Sequence, residues 1–157
     1  MSEPARPRAE RTTQNRVVRL FTDTVADGGL GYTYLGEWGK REGNRNIEPE
    51  YLAVNLKRRG YSDVQISAAL RQLQAAAEIS SNTLYDANLK TYNLLRYGAD
   101  VQTALGEPIS KVYFIDWANP ANNDFALAEE VTLRGGLERR PDIVLYINGI
   151  AVAVIEL

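Results

Sequence analysis

Asp142 and Glu156 bracket the apolar stretch IVLYINGIAVAVI near the end of the chain and are its best candidates for chemistry. Two carboxylates carried on adjacent strands offer hard oxygen ligands, which suit Mg²⁺, an ion that takes one or two carboxylates and keeps several waters. Such an ion activates water and stabilises charge on a phosphate under attack. The bland reading is a Pro-Asp strand entry and a solvated Glu at a strand end. To share an ion, both side chains must leave the same face of the sheet. Directly opposed residues of an antiparallel pair share a face and side chains alternate along each strand, so the parity of the paired residue numbers decides. A two-residue turn at Asn148-Gly149 pairs Ile147 with Ile150, an odd sum, and separates the carboxylates. A three-residue turn, Ile147 to Gly149 with Gly149 left-handed, pairs Tyr146 with Ile150, an even sum, and unites them. The pair therefore calls for the three-residue bulged turn, or for a bulge elsewhere that restores the same parity.

A Pro-Asp at the mouth of one strand and a Glu near the end of the next is the form of the PD-(D/E)xK nuclease core, whose Lys follows the Glu after one residue. That position is 158, beyond Leu157, the last residue of this sequence. Six segments, GYTYLGEW, NIEPEYLAVNLKRRGYS, LYDAN, LLRYG, FIDWANPANNDFALAEEV and RPDIVLYINGIAVAVIEL, occur in order and cover most of the chain. Together they make Tyr32 to Leu157 resemble the N-terminal nuclease region of the R subunit of type I restriction-modification enzymes. The resemblance implies that Asp142 and Glu156 are the catalytic, Mg²⁺-binding pair acting on double-stranded DNA. It also implies ATP-driven translocation by domains outside this chain, and partnership with methyltransferase and specificity subunits. Without the Lys, the 157-residue piece by itself is expected to be inactive. The other reading is a non-catalytic interaction or docking module of a larger DNA-processing protein.

Composition narrows the chemistry. The 157 residues contain no Cys and no His. Disulfides, Cys/His zinc sites and serine-histidine triads are therefore excluded, and carboxylates, Lys, Tyr and water remain for acid-base work. No apolar run approaches the length of a membrane helix and the N-terminus has no apolar signal core, which makes a cytoplasmic location the expectation. The net charge of -2 argues against tight autonomous DNA binding, which usually shows a basic face. Locally, Lys57, Arg58 and Arg59 suit the C-terminal dipole of a helix. Arg134, Arg139 and Arg140 flank the entry to the hairpin and are weak candidates for phosphate contacts.

The elements that must position these groups are readable from periodicity. Met1 to Arg11 reads as a flexible polar tail and residues 12–157 as one domain. Helical spacing of apolar residues begins near Gln14, with Val17, Val18, Leu20, Phe21 and Val25, and ends at Asp27-Gly28-Gly29. Gln14 is a weak candidate for the first-helix polar residue found in many such nucleases. The Gly- and aromatic-rich stretch from Leu30 to Arg45 holds no phosphate-loop motif. A helix starting at Pro49 should run to about Arg59 and stop at Gly60. Ser62 and Gln65 form a capping box for the next, with Ile66, Ala69, Leu70 and Leu73 inward. A third spans about Leu84 to Tyr97, and its Tyr85, Leu89, Tyr92 and Leu95 stripe is read as core rather than as a base-stacking surface. Lys111 to Trp117 reads as a strand, and Phe125, Leu127, Val131 and Leu133 alternate as another. Glu129 and Glu130 point to opposite faces of that strand, and Glu130 is an outside candidate for a metal or water contact. The closing hairpin, 143–147 and 150–157, is apolar enough to be covered on both faces. The expected class is α/β (α+β), with helices on a mixed or antiparallel sheet forming an incomplete nuclease core.

Overall fold

The computed structural model describes residues 6–79, 83–133 and 138–157. In chain order it holds α1 (Arg6–Thr22), β1 (Thr33–Glu37), α2 (Pro49–Arg58), α3 (Asp63–Ala77), α4 (Leu84–Tyr97), β2 (Ala99–Val101), β3 (Ser110–Val112), β4 (Phe125–Glu129), β5 (Ile143–Ile147) and β6 (Ile150–Ile155). The class is α+β with a mixed sheet, as expected from the patterning. The chain divides into two compact units, one running up to Asn46 and resuming at Asp124, the other Ile47–Asn123.

The first unit is a four-stranded sheet in the order β1-β4-β5-β6, with β1 parallel to β4 and the remaining pairs antiparallel. Alternation along the strands gives it two different faces. On one, Ala126, Ala128, Val144 and Tyr146 pack with Trp38 and Val131, and the Trp38 and Tyr146 rings lie 5.6 Å apart. Burying each large aromatic contributes roughly 1.5–3 kcal/mol. The Arg41 guanidinium lies 4.0 Å from the Trp38 ring centre, so the loop after β1 helps to cover this face. The opposite face meets α1. There Tyr32 bridges Phe21 of the helix and Phe125 of β4, at 5.1 and 5.5 Å between ring centres.

Three features of this unit depart from the sequence expectation. Helix α1 begins at Arg6, inside the segment read as a tail, because Arg8-Ala9-Glu10-Arg11 favours helix and Arg11 gains ion-pair partners on the sheet. Strand β1 lies in the Gly- and aromatic-rich stretch, where periodicity marks no element. Its pattern is obscured by an irregularity between Tyr34 and Gly36, the latter at φ 117°. In the closing hairpin, β5 is largely covered whereas β6 is an edge strand whose Val152 and Val154 are exposed.

The turn itself is the two-residue form, correcting the preferred three-residue one. Ile147 pairs with Ile150 and Tyr146 with Ala151, and Asn148 and Gly149 take φ values of 53° and 81°. Positive φ at both positions is the mirror-image turn that matches strand twist and favours Asn-Gly. One step further the register shifts: Leu145 pairs with Ala153, leaving Val152 as an extra residue on β6. The parity changes from odd to even at that point.

Asn148 is fully buried and is held on both sides by Asp124. Its Oδ1 accepts from the Asp124 N–H at 2.7 Å, and its own N–H donates to the Asp124 carbonyl at 2.8 Å. Asn148→Ala should therefore cost about 2–4 kcal/mol, combining left-handed strain with a buried N–H stripped of its acceptor. Asn148→Gly, which relieves the strain but not the lost bond, should cost less. Urea unfolding checks both, and an Ala variant as stable as the parent would show the turn to be set elsewhere.

In the second unit, α3 packs against α2, α4 and the β2-β3 pair. Helix α2 starts at Pro49 and its exit turn contains Gly60 at φ 93°. The Ser62-Gln65 capping box is formed in both directions, and Ile66, Ala69, Leu73 and Ala76 are buried on α3. The strand expected over Lys111 to Trp117 shrinks to Ser110–Val112. Beyond it the chain turns, and Asp116 accepts from the Asn119 N–H at 2.9 Å and from Asn122 Nδ2 at 2.9 Å. Those bonds, Asn122 first, also hold the Asp116 carboxyl below its ordinary pKa. The aromatic stripe of α4 is corrected as well. Ala87 is the buried residue of that helix and Tyr85, Leu89 and Tyr92 are exposed, because helical spacing marks a stripe without deciding which side of the helix its neighbours cover. Among the described residues no helix is long and apolar enough to cross a membrane.

Candidate active site

Asp142 enters β5 directly after the buried Pro141. Its carbonyl accepts from the Glu130 N–H at 2.9 Å, which ties the strand entry to the end of β4. The last ladder pair of the hairpin is Ile143 with Ile155, and the same register continued one step sets Asp142 across from Glu156. With the extra Val152 counted in, both belong to the face that carries Val144 and Tyr146. Asp142 Oδ2 accepts from the Leu157 N–H at 2.8 Å, so the Asp142 carboxylate reaches across to β6. Glu156 is exposed.

The opposite face of the same strand ends holds a polar cluster that sequence reasoning missed. Glu129 pairs with Ile143 and turns toward α1, where it is only 4% exposed. Its Oε2 accepts from Gln14 Nε2 at 2.7 Å and its Oε1 from the Tyr34 hydroxyl at 2.8 Å, with Arg11 Nη1 at 3.6 Å from Oε2. Gln14, 3% exposed, also lies 3.4 Å from the Asp142 carbonyl. The first-helix amide is thus bonded to the entry of the candidate strand through its backbone. The available signal was a Glu continuing the inward series Phe125, Leu127, Glu129, opposite a Gln at the start of an apolar helix face.

Glu130 stands at φ 51° and leaves the strand direction. Its carboxylate meets Arg140 Nε at 3.0 Å and Arg11 Nη1 at 4.0 Å. Two arginines thereby offset its charge, and Arg140 is engaged in that pair. Arg139 is exposed and exchanges backbone bonds with Leu133 at 2.8 and 3.1 Å, whereas Arg134 lies outside the described residues. Among the described residues no group of three or more acidic, His or Cys side chains is placed to hold a metal. The chemistry of the Asp142 and Glu156 pair fits Mg²⁺ nonetheless, since that ion commonly takes one or two carboxylates and completes its shell with water.

Partial burial pushes the Tyr34 phenol up from 10.0 to about 12, helped by its hydrogen bond to Glu129 and by that residue's charge. Tyr34 therefore remains a donor throughout the neutral range. A pKa raised on folding stabilises the fold below the unfolded value, and that contribution is lost as pH climbs from about 10 to about 12. A phenolate absorbance titration should show a component near 12 that disappears in Tyr34→Phe. An unchanged titration in that variant would contradict the assignment.

With this geometry in place, comparison with known families is decisive. Residues 10–157 match the model of the type I restriction enzyme R protein N terminus. The chain belongs to that family. No curated protein and no solved structure matches it. The R protein N-terminal match takes in Gln14, Tyr34, Glu129, Asp142 and Glu156, so every part of the polar constellation falls inside the family region.

Proposed function

We propose that this chain is the DNA-cleaving region of a type I restriction R subunit, built on a PD-(D/E)xK core. The observation that supports the reading is the register shift at Val152: the even register of Ile143 with Ile155, continued one step, assigns Asp142 and Glu156 to one face despite the two-residue turn. In this reading the two carboxylates hold Mg²⁺. When bound, the ion supplies Lewis acidity to a water and to the scissile phosphate of double-stranded DNA. Gln14 fixes the Asp142 backbone, and the Glu129 cluster clamps α1 against the strand entry. Arg139 remains a candidate for a phosphate contact. The motif's Lys, which would stabilise charge or orient the water, is not among residues 1–157.

In the parent protein, cleavage would follow ATP-driven translocation by other domains, in a cytoplasmic complex with methyltransferase and specificity subunits. The test is DNA cleavage by an R subunit carrying this region with Asp142 or Glu156 replaced. Loss of cleavage with ATP turnover retained is expected, and cleavage surviving both replacements overturns the reading. That second outcome would favour a docking module instead, for which the exposed Tyr85, Leu89 and Tyr92 on α4 offer a surface.

A further inference from the structure

The second unit carries a cleft of about 740 Å³ lined by Arg58, Arg59, Arg96, Tyr61, Tyr113 and Trp117. Clefts of roughly 300–1,000 Å³ are the usual size for small organic ligands. Asp116 contributes a carboxylate to the wall, but it already accepts from Asn119 and Asn122. Three arginines against this one carboxylate leave a locally positive wall on a chain whose net charge is -2. Two of the arginines are oriented by hydrogen bonds: Arg58 Nη2 donates to the Asn122 carbonyl at 3.2 Å, and Arg59 Nη1 to Asn55 Oδ1 at 3.3 Å. Guanidinium groups are suited to the paired oxygens of a phosphate.

The aromatic side of the cleft is also fixed in place. Trp117 donates its indole N–H to the Leu95 carbonyl at 2.9 Å, yet remains 51% exposed. The Arg96 guanidinium lies 5.3 Å from its ring centre. Across the cleft, Arg59 lies 5.6 Å from the Tyr61 ring, and the Tyr61 hydroxyl accepts from the Tyr113 N–H at 3.1 Å. A large exposed ring with its polar edge already satisfied presents a flat surface for stacking. Flanking cations strengthen such stacking.

We propose that this cleft binds a nucleotide unit, its base stacked on Trp117 and its phosphate held by Arg58, Arg59 and Arg96. The site shares no residue with the Asp142 and Glu156 pair and stands whether or not that pair holds a metal. The same chemistry is offered by a free nucleotide and by an unpaired stretch of a DNA strand. Isothermal titration of the 157-residue chain with dTMP, a short oligothymidylate, inorganic phosphate and a duplex of equal length tests it. Binding of dTMP as strong as the oligonucleotide identifies the free nucleotide, and preference for the oligonucleotide identifies the strand. In either case Trp117→Ala should weaken binding about tenfold while Trp117→Phe retains most of it. Arg58→Gln and Arg96→Gln should weaken it and flatten its salt dependence. Circular dichroism checks that each variant is folded. The proposal is overturned if neither dTMP nor the oligonucleotide binds, if inorganic phosphate binds as well as dTMP, if the duplex equals the single strand, or if folded Trp117→Ala binds unchanged.

Discussion

An R subunit carrying this region with Asp142→Ala is expected to lose DNA cleavage by at least about 10³-fold while its ATP turnover is unchanged. Lewis-acid stabilisation of a phosphoryl centre is worth several kcal/mol, and about 4 kcal/mol corresponds to three factors of ten. In the proposed site Asp142 and Glu156 come one step beyond the last pair of the β5-β6 ladder, so removing either carboxylate would leave at most one side chain of the pair to hold an ion. Glu156→Ala should therefore have an effect of the same order, and the double variant should be little worse than either single one. The polypeptide of residues 1–157 alone, with no Lys at the motif's third position, should give no Mg²⁺-dependent nicking of plasmid DNA. Nicking by that polypeptide that vanishes in Asp142→Ala would show the Lys to be dispensable. Full cleavage by the Asp142→Ala R subunit would remove the pair from the mechanism altogether.

A large stability effect is expected at Glu129. Its carboxylate holds Gln14, Tyr34 and Arg11 at once from a nearly buried position. Replacing it with Ala leaves the Gln14 amide, itself buried, with only the 3.4 Å contact to the Asp142 carbonyl. Hydrogen bonds to a charged group contribute about 1.5–3 kcal/mol, and a buried donor left unmatched adds its desolvation cost. Glu129→Ala should thus destabilise the chain by about 3 kcal/mol, read as a lower urea midpoint. Glu130→Gln is the control: its partners Arg11 and Arg140 are about half exposed or more, and water screens such pairs to below about 1 kcal/mol. Because the loss at Glu129 comes from stranding its partners, replacing Gln14 and Glu129 together by Leu should recover part of it. Equal stability of Glu129→Ala and the parent would mean that α1 is held by apolar contacts alone.

Local chemistry made much of this protein legible before any coordinates. Pro49, the Ser62-Gln65 box, Gly60 and Gly98 act through hydrogen bonds and backbone preferences within a few residues, so the bounds of α2, α3 and α4 follow from the sequence nearly as found. The same holds for the β5-β6 hairpin and its Asn-Gly turn, and the ordered motifs pointed to the family that residues 10–157 match. Tertiary structure decided the rest. Whether Asp142 and Glu156 share a face hung on one extra residue, Val152, which no periodicity marks because every residue around it is apolar. Strand β1 exists only because β4 supplies its hydrogen-bond partners. The α4 stripe has helical spacing, yet the fold buries Ala87 and leaves Tyr85, Leu89 and Tyr92 exposed. Glu129 reads in the sequence only as one of two adjacent strand carboxylates on opposite faces, and folding brings it to Gln14, a partner 115 residues away. Burial and register are properties of pairs distant in the chain, and a carboxylate's environment is set by what the fold places beside it.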